Sequence, residues 1–194
     1  MSETTVLDGD DLSRTLARIA HEIVERHPDP SELVVVGIHT RGAVLAARLQ
    51  RRLSELLDRE VPLGDLDIAF YRDDLATRGA GGADPAGPVI HATHLDAVPV
   101  EGASVVLVDD VLYTGRTIRS AIEAIFDYGR PGRVQLAVLV DRGHRELPFR
   151  ADYVGKNLPT ATAERVNVRL EEVDGRDEVA IERADAQLDD PEAR

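Results

Sequence analysis

"VVLVDDVLYTGRT", Val105 to Thr117, carries an apolar run straight into two adjacent aspartates and then a glycine flanked by hydroxyls. Ser104 to Val108 reads as a buried strand, and the stretch after Gly115 has the apolar period of a helix that closes at Gly129. Two neighbouring carboxylates repel one another, so Asp109 and Asp110 need a partner that rewards the pair, a diol that donates to it or a cation beside it. Thr114-Gly115-Arg116-Thr117 opens the helix. Backbone N–H groups and the helix dipole make an anion site there, and Gly115 lets the main chain approach a phosphate closely. A phosphate at one end and two hydroxyls at the other describe a ribose 5-phosphate. A helix cap would explain one aspartate at a strand end, but not two followed by a glycine turn.

Working outward, Leu12, Leu16, Ile19 and Ile23 recur at helical spacing, which predicts an amphipathic helix over 11–26 with Asp10 or Asp11 as its N-cap. "LVVVGI" (Leu33 to Ile38) predicts a strand that runs through "HTRG" into a helix over 43–57. "LDIAFYRDD" (Leu66 to Asp74) predicts a further strand, and the Gly-, Ala- and Pro-rich stretch after it a mobile lid over about 72–90. "VQLAVLV" follows the helix after Gly115 as another strand. Strands alternating with helices imply an α/β fold with a mainly parallel sheet, whose ligands bind beyond the carboxyl ends of the strands. "RVNVRLEEVDGRDEVAIER" alternates at period two about Asp174-Gly175 and predicts an antiparallel hairpin. Residues 1–183 are expected to form one domain, with a disordered polar tail over 184–194.

Composition narrows the function. At 194 residues with 43% hydrophobic content the chain is long enough for a full core, and cysteine is absent, so disulfides and thiolate metal sites are excluded. No apolar run reaches the length of a membrane span and no signal-like pattern follows Met1, so a cytoplasmic protein is expected. The net charge of −13 argues against generic nucleic-acid binding while leaving room for a local basic patch. Neither G-x-x-x-x-G-K-[ST] nor G-x-G-x-x-G after a strand is present. The six histidines show no tight ligand spacing, so no preformed metal cage is expected.

The central stretch resembles the phosphoribosyl-diphosphate (PRPP) motif of the type I phosphoribosyltransferases. With "RIAHEI", "VGIHTRG", "LDIAFYRDDL", "VDDVLYTGRT" and "LAVLVDRGHRELPFRADYVGKN" in order, residues from about 11 to 182 resemble the PyrR family, uracil phosphoribosyltransferases that also regulate pyrimidine operons. The resemblance implies a type I phosphoribosyltransferase fold with a small hood, and PRPP, uracil and UMP or UTP as ligands. It implies PRPP contacts from Asp109 and Asp110 to the ribose, from Thr114, Gly115, Arg116 and Thr117 to the 5-phosphate, and further PRPP contacts from Val111, Leu112 and Tyr113. Thr40, Arg41 and Gly42 would take the pyrophosphate, and Tyr71 and Arg72 would head the lid. Catalytic roles fall to Arg41, Arg72, Asp109 and Asp110, with Mg2+ carried in by PRPP near the two aspartates. Tyr113 stands where purine-salvaging relatives carry a carboxylate, which favours uracil over a purine. Arg142, Val154 and Gly155 would face the base. Arg14, Arg18, His21, Thr40, His144, Arg145, Arg150 and Lys156 match positions that bind a pyrimidine-operon mRNA leader. A homodimer or larger homo-oligomer is implied. Two alternatives remain open on the residues alone: a regulator that uses the nucleotide site only as a sensor, or a phosphoribosyltransferase for another base.

Overall fold

The structure, a computed structural model, describes residues 2–68 and 93–183. Leu33–Ile38 (β2) is buried at every position, and a strand apolar on both faces belongs in a sheet covered on both sides. It pairs in parallel with Leu63–Leu66 (β3) and Ser104–Leu112 (β4), and β4 continues the sheet to Arg133–Asp141 (β5) and Tyr153–Asn157 (β6). The five strands lie in the order β3-β2-β4-β5-β6.

Strand alternation divides the core in two. Val35, Val106, Ala137 and Leu139 pack with Leu12, Leu16 and Ile19 of α1 (Gly9–Arg26) and with Leu45 and Leu49 of α2 (Arg41–Leu57). Val34, Val36, Val105, Leu107, Leu136 and Val138 pack with Ile118, Ala121 and Ile125 of α3 (Arg116–Phe126). Each fully buried aliphatic side chain contributes about 1.5–3 kcal/mol over its exposed state.

Three boundaries differ from the sequence reading. α1 starts two residues early because Asp8 is its cap: Asp8 accepts from the Asp11 N–H at 2.8 Å while Asp11 reaches back to the Asp8 N–H. A reciprocal pair satisfies two helix-end donors where a single Asp10 or Asp11 cap would satisfy one. α2 starts at Arg41, two residues before the expected start. The strand expected from Leu66 begins earlier, at Leu63, and ends at Leu66 in parallel register with Val35 to Ile38, while residues 69–74 of the expected strand lie outside the described residues. Residues 69–92, which include the lid expected over about 72–90, and the tail 184–194 lie outside the described residues. The hairpin expected around Asp174-Gly175 is present, as Arg165–Arg169 (β7) and Glu178–Arg183 (β8) joined through a single helical turn, Glu171–Asp174 (α4).

Ser2–Leu7 (β1), which the sequence reading left unassigned, pairs antiparallel with β8 and makes a second sheet in the order β1-β8-β7. This hood is tied to α2 by Arg48, which donates to Glu172 at 2.9 and 2.5 Å and to Asp177 at 2.8 Å twice. Both carboxyls are held below the ordinary range, chiefly by that guanidinium. Depressed carboxyl pKa values contribute stability above the unfolded value of about 4, which is lost as pH falls through the folded values. Arg48→Met is expected to cost about 2 kcal/mol near neutral pH, mostly through Asp177, because Glu172 is half exposed and screened. Denaturant melts should show that cost shrinking as pH falls below the ordinary carboxylate range.

Candidate active site

β2 and β4 are neighbours, so the loops leaving their carboxyl ends meet at one edge of the sheet. The loop after β2 is His39 and Thr40, and α2 begins at once with Arg41 and Gly42. Gly42 faces the end of β4 so closely that a Cβ there would stand 2.6 Å from the Val108 carbonyl oxygen and 3.4 Å from Asp109 Oδ1. Only glycine brings the first turn of α2 against the acidic pair.

β4 runs on through Leu112, so the two aspartates sit inside its last turn of pleat. Asp109 is buried, and its Oδ1 accepts from the Asp110 N–H at 2.9 Å. Asp110 Oδ1 accepts from the Val111 N–H at 2.8 Å. Burial pushes the Asp110 carboxyl above the ordinary range, opposed by the Val111 N–H, by Asp109 and by the Arg41 guanidinium. An open pocket beside it is lined by Asp110, Arg41, Val168, Asn167, Arg169 and Asp174. Arg41 spans that pocket to the hood, donating to Asp174 at 2.7 and 3.2 Å.

The loop expected to hold the 5-phosphate turns sharply from β4 into α3. Gly115 is left-handed at φ 93° and has no side chain with which to cap α3, while the Arg116 N–H at the helix start donates to Thr114 Oγ1 at 3.4 Å. The Thr114 carbonyl accepts from the Glu146 and Leu147 N–H groups, both at 3.0 Å, and Arg116 pairs with Glu146 at 2.8 Å. Thr117 lies in the first turn of α3.

Arg145 does work that the sequence reading did not anticipate. It was expected on an RNA face. Its guanidinium instead donates to the carbonyls of Phe149, Tyr113 and Gly143 at 2.8–3.1 Å, to Leu112 at 3.3 Å and to Asp141 at 2.5 Å. It thereby fastens the chain at Leu112 and Tyr113 to the segment after β5. Arg142, expected at the base, is likewise committed: it is buried, its Cζ stands 4.2 Å from the Tyr113 ring centroid, and it donates to Thr160 and to the Ala161 and Glu164 carbonyls. Tyr113 packs beneath it and edge-on to His144. The one advance signal was the density of arginines in "DRGHREL" directly after an apolar strand.

The base and RNA expectations meet at one residue. The Val154 and Gly155 carbonyls of β6, expected to read a base edge, accept from Arg18 of α1 at 3.0 and 2.6 Å. Arg18 also pairs with Glu22 and Arg14 with Asp11, so both cations of the α1 face have acidic partners. Arg14, Arg18 and His21 do share an exposed face, and Thr40, His144 and Arg150 are exposed too, while Lys156 is half-buried on β6. Tyr71 and Arg72 lie outside the described residues.

Fold and site together define a phosphoribosyltransferase. The sequence matches the family described as phosphoribosyl transferase domain over residues 2–172. The hypoxanthine phosphoribosyltransferase of Trypanosoma cruzi superposes with a TM-score of 0.67 at 19% identity, over 93% of this chain and 96% of that one. A hypoxanthine-guanine phosphoribosyltransferase from Bacillus anthracis gives 0.60 at 19% identity, over 82% and 85%. At these identities the likeness concerns the fold alone. Curated relatives named Bifunctional protein PyrR are far nearer in sequence. That of Roseiflexus sp. (strain RS-1) is 57% identical over 90% of this chain and 92% of its own, and that of Deinococcus radiodurans 55% over 92% and 94%. The chain belongs to the PyrR family.

The raised Asp110 pKa has a thermodynamic consequence. The folded state holds this proton more tightly than the unfolded one, so the group's stabilising contribution is present at low pH and is lost as pH rises through the folded pKa. Asp110→Asn, which buries no charge, is therefore expected to raise Tm by a few degrees near neutral pH. The gain should fade as pH falls toward the ordinary carboxylate value, as scanning calorimetry across pH would show.

Proposed function

We propose that the chain transfers the ribose 5-phosphate of PRPP to uracil, giving UMP and pyrophosphate, and that it also binds a pyrimidine-operon mRNA leader under nucleotide control. The observation that carries the enzymatic half is the junction of the acidic pair at the end of β4 with the glycine turn that opens α3, with the Arg41 guanidinium near Asp110. The name shared by the near relatives supports the second role.

In this reading Asp109 and Asp110 accept hydrogen bonds from the ribose hydroxyls. Backbone donors from Thr114 to Thr117, with the two threonine hydroxyls, hold the 5-phosphate at the start of α3. Thr40, Arg41 and Gly42 receive the pyrophosphate, for which Arg41 leaves Asp174, and Arg72 reaches it from the lid side. Uracil N1 attacks C1 with inversion, the bond from C1 to the pyrophosphate oxygen breaks, and N1 gives up its proton. Charge moves onto the leaving group, so donors fixed beforehand at its oxygens stabilise the transition state more than the ground state. Asp109 and Asp110 would offer carboxylate oxygens to an Mg2+ ion carried in by PRPP, which would supply positive charge to the leaving group. Uracil sits in this account near Tyr113 and the β6 strand held by Arg18, with Arg142 positioning Tyr113. A cytoplasmic assembly of at least two copies belongs to the same reading.

RNA binding rests on the exposed Arg14, Arg18, His21 and Arg150, against a strongly negative whole. The enzymatic half is tested by pyrophosphate release from PRPP and Mg2+. Uracil-dependent release is expected in the wild type, at least about 100-fold reduced in Asp109→Asn/Asp110→Asn, a loss of more than roughly 2.7 kcal/mol of transition-state binding. Faster turnover on hypoxanthine or orotate would overturn the choice of base. Binding of UMP without turnover on any base would leave the site as a sensor.

A further inference from the structure

Away from the acidic pair, three side chains distant in sequence converge at the outer edge of the sheet. His39 is the first residue beyond β2, held by its N–H to the Leu66 carbonyl at 3.0 Å. Asp65 lies within β3, in register with Gly37. His94 forms an isolated antiparallel bridge with Asp65, its N–H donating to the Asp65 carbonyl at 2.9 Å. Main-chain hydrogen bonds thus place all three residues.

Their side chains point at one another. His39 Nε2 stands 2.5 Å from Asp65 Oδ1, and His94 Nδ1 stands 3.1 Å from the same oxygen and 3.3 Å from Oδ2. One ligand atom from each residue falls within 4.8 Å of the others. A tetrahedral ion with bonds of about 2.0–2.1 Å sets its ligand atoms roughly 3.3 Å apart, so small side-chain adjustments suffice. His39 and Asp65 are mostly shielded, at 17% and 27% side-chain exposure, whereas His94 at 69% turns freely enough to close on an ion.

We propose that His39, Asp65 and His94 form a three-ligand site for a borderline divalent transition ion, with Zn2+ the best match. Two imidazoles and one carboxylate are the donors of such ions; Mg2+ prefers oxygen alone. The site is therefore chemically distinct from any Mg2+ that travels with PRPP. Its exposed side leaves the remaining coordination position to water. The ion would staple the short edge strand β3, at its bridge to His94, to the end of β2, one residue before Thr40 and two before Arg41. Bridging ions here replace the hydrogen bonds that Asp65 now makes to both rings. The competing explanation is that those hydrogen bonds are all the cluster does.

The test uses the full chain after treatment with a chelator. Zn2+ is titrated in competition with a chromophoric chelator, and Co2+ is added separately to read the intense visible absorption of a tetrahedral site. One tight equivalent per chain is expected in the wild type, with a Tm that rises on adding Zn2+. His94→Ala and Asp65→Asn should bind at least about 10–100-fold more weakly, the range that loss of even an outer-shell partner costs. His21→Ala, which alters a histidine elsewhere, should bind as the wild type does. A common Tm in chelator would show that the variants remain folded. Binding unchanged in both His94→Ala and Asp65→Asn would put the ion elsewhere and overturn the proposal. Absence of tight Zn2+ and Co2+ binding in the wild type would reduce the cluster to an ion-pair network and overturn it equally.

Discussion

The first turn of α2 presses against the last residues of β4, with 2.6 Å from an imagined Gly42 Cβ to the Val108 carbonyl oxygen. That approach is possible only because β2 and β4 are adjacent and parallel, which brings the loops at their carboxyl ends side by side. A parallel sheet must in turn be covered on both faces, and α1 and α2 on one side with α3 on the other supply that cover. Packing therefore decides where the charged groups stand. The acidic pair, Arg41 and the start of α3 share one edge because β2 and β4 lie side by side and lead into α2 and α3.

Charge at that edge is arranged at a cost to stability. Asp110 is half-buried beside a second carboxylate, and the Arg41 guanidinium that eases it is tied to Asp174 of the hood. Such strain of charge is what a site for a polyanion with a diol and a cation would carry before its ligand arrives. The surroundings are correspondingly stiff. Arg145 holds the Leu112, Tyr113 and Gly143 carbonyls together, Arg142 clamps the chain near Thr160, and Arg18 holds the Val154 and Gly155 carbonyls. Three arginines fix the backbone around the place assigned to the base.

Much of this was legible from residues alone. The unbroken apolar character of Leu33–Ile38 and Val105–Val108 required a doubly covered parallel sheet, and Gly115 after Asp109-Asp110 marked the edge that matters. The partners of long side chains were not legible. Arg18 and Arg145 look like surface cations in the sequence, yet their acceptors are main-chain carbonyls made available by strand ends up to 137 residues away. β1 escaped notice because Ser2–Leu7 is mostly exposed and finds its register only against β8. His39, Asp65 and His94 show no ligand spacing because the parallel register of β2 and β3 and a single bridge bring them together.

The central claim is that the acidic pair and the phosphate loop together bind one ribose 5-phosphate unit. Calorimetric titration of the wild type and of Asp109→Asn/Asp110→Asn with PRPP, ribose 5-phosphate and inorganic phosphate, each with Mg2+, tests it most directly. The account predicts that the double variant loses its preference for the two ribose compounds over phosphate while retaining phosphate binding at the α3 start. Unchanged PRPP affinity in the double variant would contradict it.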